Sequence, residues 1–170
     1  MSKRTSLRDF QQYLADRLKS AARGQVTSSL LGVRAGQENW LLELSDSGEI
    51  IQLPPLIFVP LTRPAFAGIA NIRGNLYSVT DFSLFRGGEP TVQNANSRVL
   101  LIGARLGSNA ALLVTRIQGL KAAASFQPLG RPEAAPPWLE QVYQDQAGEM
   151  WNKLSVRELL ADEDFMNIGV

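Results

Sequence analysis

The side chains in this sequence that could do chemistry are few, and two absences narrow them further. Among the 170 residues there is no His and no Cys. A Ser–His or Cys–His nucleophile pair, a phosphoaccepting histidine, a His/Cys zinc site and a disulfide are therefore excluded. An enzyme built on this chain would have to work with carboxylates, Lys, Tyr or a cofactor. Glu43, Glu49 and Asp81 stand among apolar neighbours, and the ordinary role for such an acid is that of an ion-pair partner. Asp162, Glu163 and Asp164 are consecutive, so they cannot converge on one helix face and are expected as a solvated acidic end. Arg73 is the cation in an odd place, beside Gly74-Asn75 and between two largely apolar runs. Spacing alone favours a solvated charge at a turn. The expectation from these residues is no hydrolase or transferase activity, no cofactor and no bound metal.

Composition limits the partners in the same way. Apolar residues make up 45% of the chain, enough for a real core. A formal net charge of +1 is too small for a protein that binds nucleic acid by neutralising phosphates. The charge is uneven, however. Residues 1–24 carry Lys3, Arg4, Arg8, Arg17, Lys19 and Arg23 against Asp9 and Asp16, whereas residues 157–170 are acidic. No apolar run reaches membrane-spanning length, and the start MSKRTSLRDF lacks the apolar core of a signal peptide. A cytoplasmic protein without direct membrane insertion is the expectation.

The elements that must position these residues read as short strands in successive hairpins. The central one is residues 66–82, with runs at 69–73 and 76–82 about a Gly74-Asn75 turn. Before it, residues 28–35 and 39–45 form a hairpin around Gly36-Gln37, with Val33, Trp40, Leu42 and Leu44 as core residues. A strand at 49–53 is stopped by Pro54-Pro55. After a loop at 87–97 come runs at 98–104 and 110–117, a Pro-rich connector at 127–137, and a last hairpin at 138–144 and 149–154. Helices are expected only at the ends. Residues 6–23 carry an apolar stripe of Leu7, Phe10, Leu14 and Leu18, and Ser155 with Glu158 forms a capping box that opens a short C-terminal helix. With no β-helix-β alternation, an antiparallel, mainly β fold of at least seven strands in small barrels is expected.

The segment GIANIRGNLYSVTDF resembles the signature of the CheW family of chemotaxis adaptors. Gly68, Asn71, Ile72, Arg73, Gly74, Val79 and Asp81 fall on that pattern, and Ser78 stands where the family usually has Pro. The resemblance implies a CheW-like domain over residues 28–160, built of two interlocked five-stranded barrel-like subdomains of SH3/OB type split near 87–97. Residues 1–27 would be a helical extension and 161–170 an acidic tail. It also implies a non-enzymatic adaptor that couples the cytoplasmic tip of a methyl-accepting chemoreceptor to the regulatory domain of a CheA-type histidine kinase. The receptor would be met by Glu49, Asn71, Arg73 and Gly74, with Ala111 and Val114 across a groove, and Glu49 would pair with Arg73. The kinase would be met by Ile51, Leu53, Ile57 and Phe58. Ala111 and Thr115 stand where the family shows Gly and Asp. Length and leader look like the adaptor of the type IV pilus (twitching motility) system. The alternative is an OB-like barrel that binds single-stranded nucleic acid. Against it, the basic residues cluster in the N-terminal segment, away from the strands.

Overall fold

A computed structural model describes residues 29–169, together with residues 11, 12, 14 and 15. Those four, Gln11, Gln12, Leu14 and Ala15, are helical and exposed; the rest of the helix expected at 6–23 lies outside the described residues. The strands are β1 (Ser29–Ala35), β2 (Glu38–Glu43), β3 (Ser47–Gln52), β4 (Phe66–Ile72), β5 (Asn75–Asp81), β6 (Arg98–Ile102), β7 (Ala110–Val114), β8 (Arg116–Ala122), β9 (Gln127–Gly130), β10 (Leu139–Gln144) and β11 (Met150–Leu154). Within residues 29–169, helix α1 (Phe82–Phe85) follows β5, α2 (Val156–Leu160) follows β11 and α3 (Glu163–Met166) follows α2.

The strands form a six-stranded sheet, ordered β8-β1-β2-β11-β10-β9, and a five-stranded sheet, ordered β3-β6-β7-β5-β4. The fold is mainly β with two sheets, as expected, but one sheet holds six strands. The loop at 87–97 does not divide them, because the five-stranded sheet draws strands from both sides of it. Two pairs are parallel, β2 with β11 and β5 with β7, against the expectation of antiparallel pairing throughout. Both parallel pairs join strands far apart in sequence or separated by the long loop, which gives the chain room for the crossover. The strands the sequence reading lacked are β8, of which only the first two residues lay in an expected run, and β9, inside the expected connector. Both are sheet edges. β8 shows no clean alternation of burial, and β9 is four exposed residues including Pro128.

Burial explains the layering. Between the sheets lies the main core, where Val33, Trp40 and Leu42 from one sheet meet Leu100, Ile102, Leu112 and Val114 from the other. A second core fills the curl of the five-stranded sheet (Ala70, Val79, Val99, Leu101, Ala111, Leu113), and a smaller one centres on Leu30, Leu41 and Trp151. The strand β7 therefore faces apolar neighbours on both sides, and its five residues are all buried. Leu44, expected in the core, is 40% exposed because β2 has ended at Glu43 and the chain turns back toward β3.

The C-terminal acidic run is structured. Ser155 accepts a hydrogen bond from the Glu158 amide at the start of α2, as the capping box requires. Asp162 caps α3 through the Phe165 amide and accepts from Trp138 Nε1 at 3.1 Å, so one carboxylate of the expected solvated end is a structural acceptor.

A second carboxylate organises the β10–β11 turn. Asp145 accepts from Trp151 Nε1 and from the Ala147 and Glu149 amides, all at 2.9 Å. These bonds, led by that from Trp151, hold its carboxyl below the ordinary value of 3.8. A depressed carboxyl stabilises the fold above its unfolded value and loses that contribution as pH falls through the folded one. The turn is therefore expected to loosen below about pH 4. Trp151 fluorescence should show this acid step in the wild-type chain and not in Asp145→Asn.

Candidate functional site

The β4–β5 hairpin is the site's frame. Ile72 pairs with Asn75, so the two turn residues are Arg73 and Gly74, one position earlier than the expected Gly74-Asn75. Their φ angles are 53° and 84°, the pair of positive values that a tight hairpin of this twist requires. Gly74 takes such a backbone without strain. For Arg73 the left-handed conformation costs on the order of 1 kcal/mol, and Asn71 offsets part of this by accepting from the Gly74 amide at 2.9 Å. Asn71, Arg73 and Gly74 are all exposed at this tip.

The Arg73 guanidinium donates to the Glu49 carboxylate, the ion pair that the resemblance implies. The side chains are 73% and 38% exposed, so the pair is worth no more than about 1 kcal/mol. Its placement matters more than its energy. Glu49 lies on β3 and Arg73 directly follows β4, and these strands are opposite edges of the five-stranded sheet. The pair therefore reaches across the open seam of a curled sheet. A single bridge between Ile57 and Ile69 covers the same seam through the segment that follows β3. Gly68 permits that crossing: a Cβ there would lie 2.7 Å from the Ile57 carbonyl oxygen.

That crossing segment carries the exposed apolar side chains. Ile57, Phe58 and Leu61 are 56%, 80% and 84% exposed. Ile51 and Leu53, expected with them, instead pack against the core inside the five-stranded sheet. The patch is thus narrower at β3 and longer at its far end than the sequence reading had it. Leu61 was missed. It follows Pro60, and its φ of 60° holds it in a conformation rare for a residue with a Cβ. Pro54, Pro55 and Pro60 fix φ along the segment, so these anchors lose little backbone freedom on binding.

Ala111 and Val114, expected on the far side of a groove, are fully buried at 0% exposure. Central strand β7 sends Ala111 into the inner core and Val114 into the core between the sheets. Thr115 accepts from the Gly36 amide at 3.0 Å and so fixes the β1–β2 turn.

Two polar groups, one buried and one half-buried, brace the frame from below. Asp81 caps α1 and also accepts from the Thr91 amide and hydroxyl at 2.8 and 2.6 Å, which ties the 87–97 loop to the hairpin. Arg86, which the sequence reading did not single out, makes two 3.0 Å bonds to Glu38, and its guanidinium lies 5.2 Å from the Trp40 ring and 5.3 Å from the Trp138 ring. It joins the helix after β5 to the six-stranded sheet. Glu43 belongs to a third pair, with Lys153 at 2.9 Å. Burial alone would lower the Lys153 ammonium, but Glu43 and Glu140 outweigh it and hold the group above its ordinary value. Glu43, Glu49 and Asp81, the acids considered for chemistry, are all engaged as ion-pair or hydrogen-bond partners. Among the described residues no group of three or more metal-ligating side chains converges, and no helix is long and apolar enough to cross a membrane.

No curated protein matches the chain. Among solved structures, it is similar to the scaffolding protein TtCheW from Thermoanaerobacter tengcongensis, at 19% identity with a TM-score of 0.65, over 76% of this chain and 90% of that one. At that identity the likeness is one of fold. A family model, the CheW-like domain, matches residues 29–164. The chain therefore belongs to the family of CheW-like domains.

Proposed function

We propose that this chain is a non-enzymatic adaptor of chemosensory signalling. It holds the cytoplasmic tip of a methyl-accepting chemoreceptor to the regulatory domain of a CheA-type histidine kinase, in the cytoplasm and at membrane-associated receptor arrays. The observation that carries the reading is the exposed apolar segment with Ile57 and Phe58, pinned beside a polar hairpin tip formed by Asn71, Arg73 and Gly74. From Ile69, where Ile57 bridges, to the turn is only three residues, about 10 Å along β4. One surface is apolar and the other polar and charged, so two partners of different chemistry can sit side by side. The kinase domain takes the apolar segment and the receptor tip takes the hairpin. The system that we propose for it is type IV pilus twitching motility ahead of flagellar chemotaxis, on the family resemblance of the sequence alone.

The test is assembly from purified parts. The chain should bind a kinase regulatory domain and a receptor-tip hairpin fragment separately, and all three should co-elute as one complex. Binding of the two partners in competition, each displacing the other, would contradict the adaptor reading.

A further inference from the structure

We infer that residues 162–169 occupy, in cis, a groove that recognises acidic helical segments, and that a partner segment with a large apolar anchor beside a carboxylate exchanges with them. The inference rests on the adaptor reading and adds the kind of helix that the groove accepts.

The segment lies between two cavities and walls both. One, of about 510 Å³, reaches from Arg63 and Phe66 to Trp138; the other, of about 190 Å³, opens beside Asn109 and Ala110. Phe165 and Ile168 line each of them, and Thr80 of β5 lies along both. Without residues 162–169 the two spaces would be one trench along β5. The larger space stays half open to solvent beside the segment, so a bulkier side chain than the chain's own has room there.

The contacts define what the trench reads. Only every third residue turns inward: Asp162 and Ile168 are half-buried and Phe165 is buried, while Glu163, Asp164, Met166 and Asn167 are exposed. Phe165 sits edge-on to Phe85, with ring centres 5.4 Å apart. Asp162 accepts a hydrogen bond from Trp138 Nε1. Arg63 donates from its guanidinium to the Asp164 carboxylate at 3.1 Å and carbonyl at 3.3 Å, and from its amide to the Ile168 carbonyl at 2.8 Å. A single bridge between Thr62 and Gly169 ends the contact. The groove thus offers one cation, one indole donor and one aromatic-lined pocket, which suits a carboxylate followed by a large apolar residue on one helical turn. Phe165 anchors the occupant in the main core, and the rest of its hold is weak. A four-residue helix has no stability of its own, and the Arg63–Asp164 latch is exposed at 40% and 80%.

Three full-length proteins test this: wild type, Asp164→Lys and Arg63→Glu. Asp164→Lys unlatches the segment and leaves the groove's cation; Arg63→Glu unlatches it and removes the cation. The probe is a labelled peptide of residues 155–169. Both variants should exchange the amides of Phe165, Met166 and Asn167 up to about fivefold faster than wild type, the upper limit for an exposed ion pair. Only Asp164→Lys should capture the peptide more tightly, by a similar factor, and a peptide carrying Phe165→Ala should not be captured at all. Unchanged exchange in Asp164→Lys, or equal capture by all three proteins, overturns the inference. A receptor-tip fragment run alongside separates the two readings: capture of the peptide by a protein that binds no receptor fragment anywhere keeps the groove and contradicts the adaptor reading instead.

Discussion

Asp81→Ala is expected to lower the unfolding free energy by about 3–4 kcal/mol, because it strips an acceptor from several buried donors at once. Asp81 is 4% exposed, and its carboxylate takes hydrogen bonds from the Leu84 amide, the Thr91 amide and the Thr91 hydroxyl. A buried donor left without a partner costs about 1–3 kcal/mol, and water entering the gap recovers part of it. Against a total stability of roughly 5–15 kcal/mol, the loss is a large fraction. The damage should spread in a defined direction. Asp81 caps α1, which carries Phe82 into the main core and leads to Arg86 between its two tryptophans. Thr91→Val, which removes one hydroxyl and keeps the amide bond, should cost about 1 kcal/mol. Urea unfolding followed by tryptophan fluorescence measures both. A cost below 1 kcal/mol for Asp81→Ala would mean that the loop at 87–97 does not depend on the hairpin.

The same residues show what the sequence made legible. Asp81 fell on the family pattern, yet its work as a double clamp needed Thr91, ten residues on, and nothing local announces that pairing. The hairpin itself was legible from its glycine, but its register was not. Asn75 tolerates positive φ better than Arg73, so local chemistry favoured Gly74-Asn75. The ladder from Phe66 to Ile72, with its irregularity between Phe66 and Gly68, sets the turn at Arg73-Gly74. The run Ala110–Val114 read correctly as buried on both sides, and that burial is what denies Ala111 and Val114 a place in a groove. The weaving of β1 and β2 into a sheet with β8–β11 depends on contacts a hundred residues apart, beyond the reach of periodicity. The acidic end looked solvated because Glu163 and Asp164 do face water. Asp162 turns inward to Trp138, but of this stretch only Phe165 is buried, and a single aromatic gives no periodic signal.

Phe58→Glu is expected to weaken kinase-domain binding by about thirtyfold or more while leaving receptor binding and folding intact. Ile51, the residue first indicated for this surface, is a poor probe, because it packs against the core of the five-stranded sheet and a charge there would unfold it. Phe58 is 80% exposed, so the substitution costs the free protein little. At an interface it would bury a carboxylate in place of a ring, and aromatic anchors of this kind carry about 2 kcal/mol or more. Arg73→Glu is the reciprocal variant. It sets a second carboxylate against Glu49 across the open seam and reverses the charge of the hairpin tip. Receptor binding should fall by about tenfold or more, with folding stability lowered by no more than about 1 kcal/mol. Titration calorimetry against each partner, with thermal unfolding alongside, gives four affinities and two stabilities. The adaptor geometry predicts that each variant loses one partner and keeps the other. The two surfaces share the seam at Ile57 and Ile69, so a variant that stays folded and loses both partners equally would mean a single site. Retention of both partners by both folded variants would move the contacts off this sheet altogether.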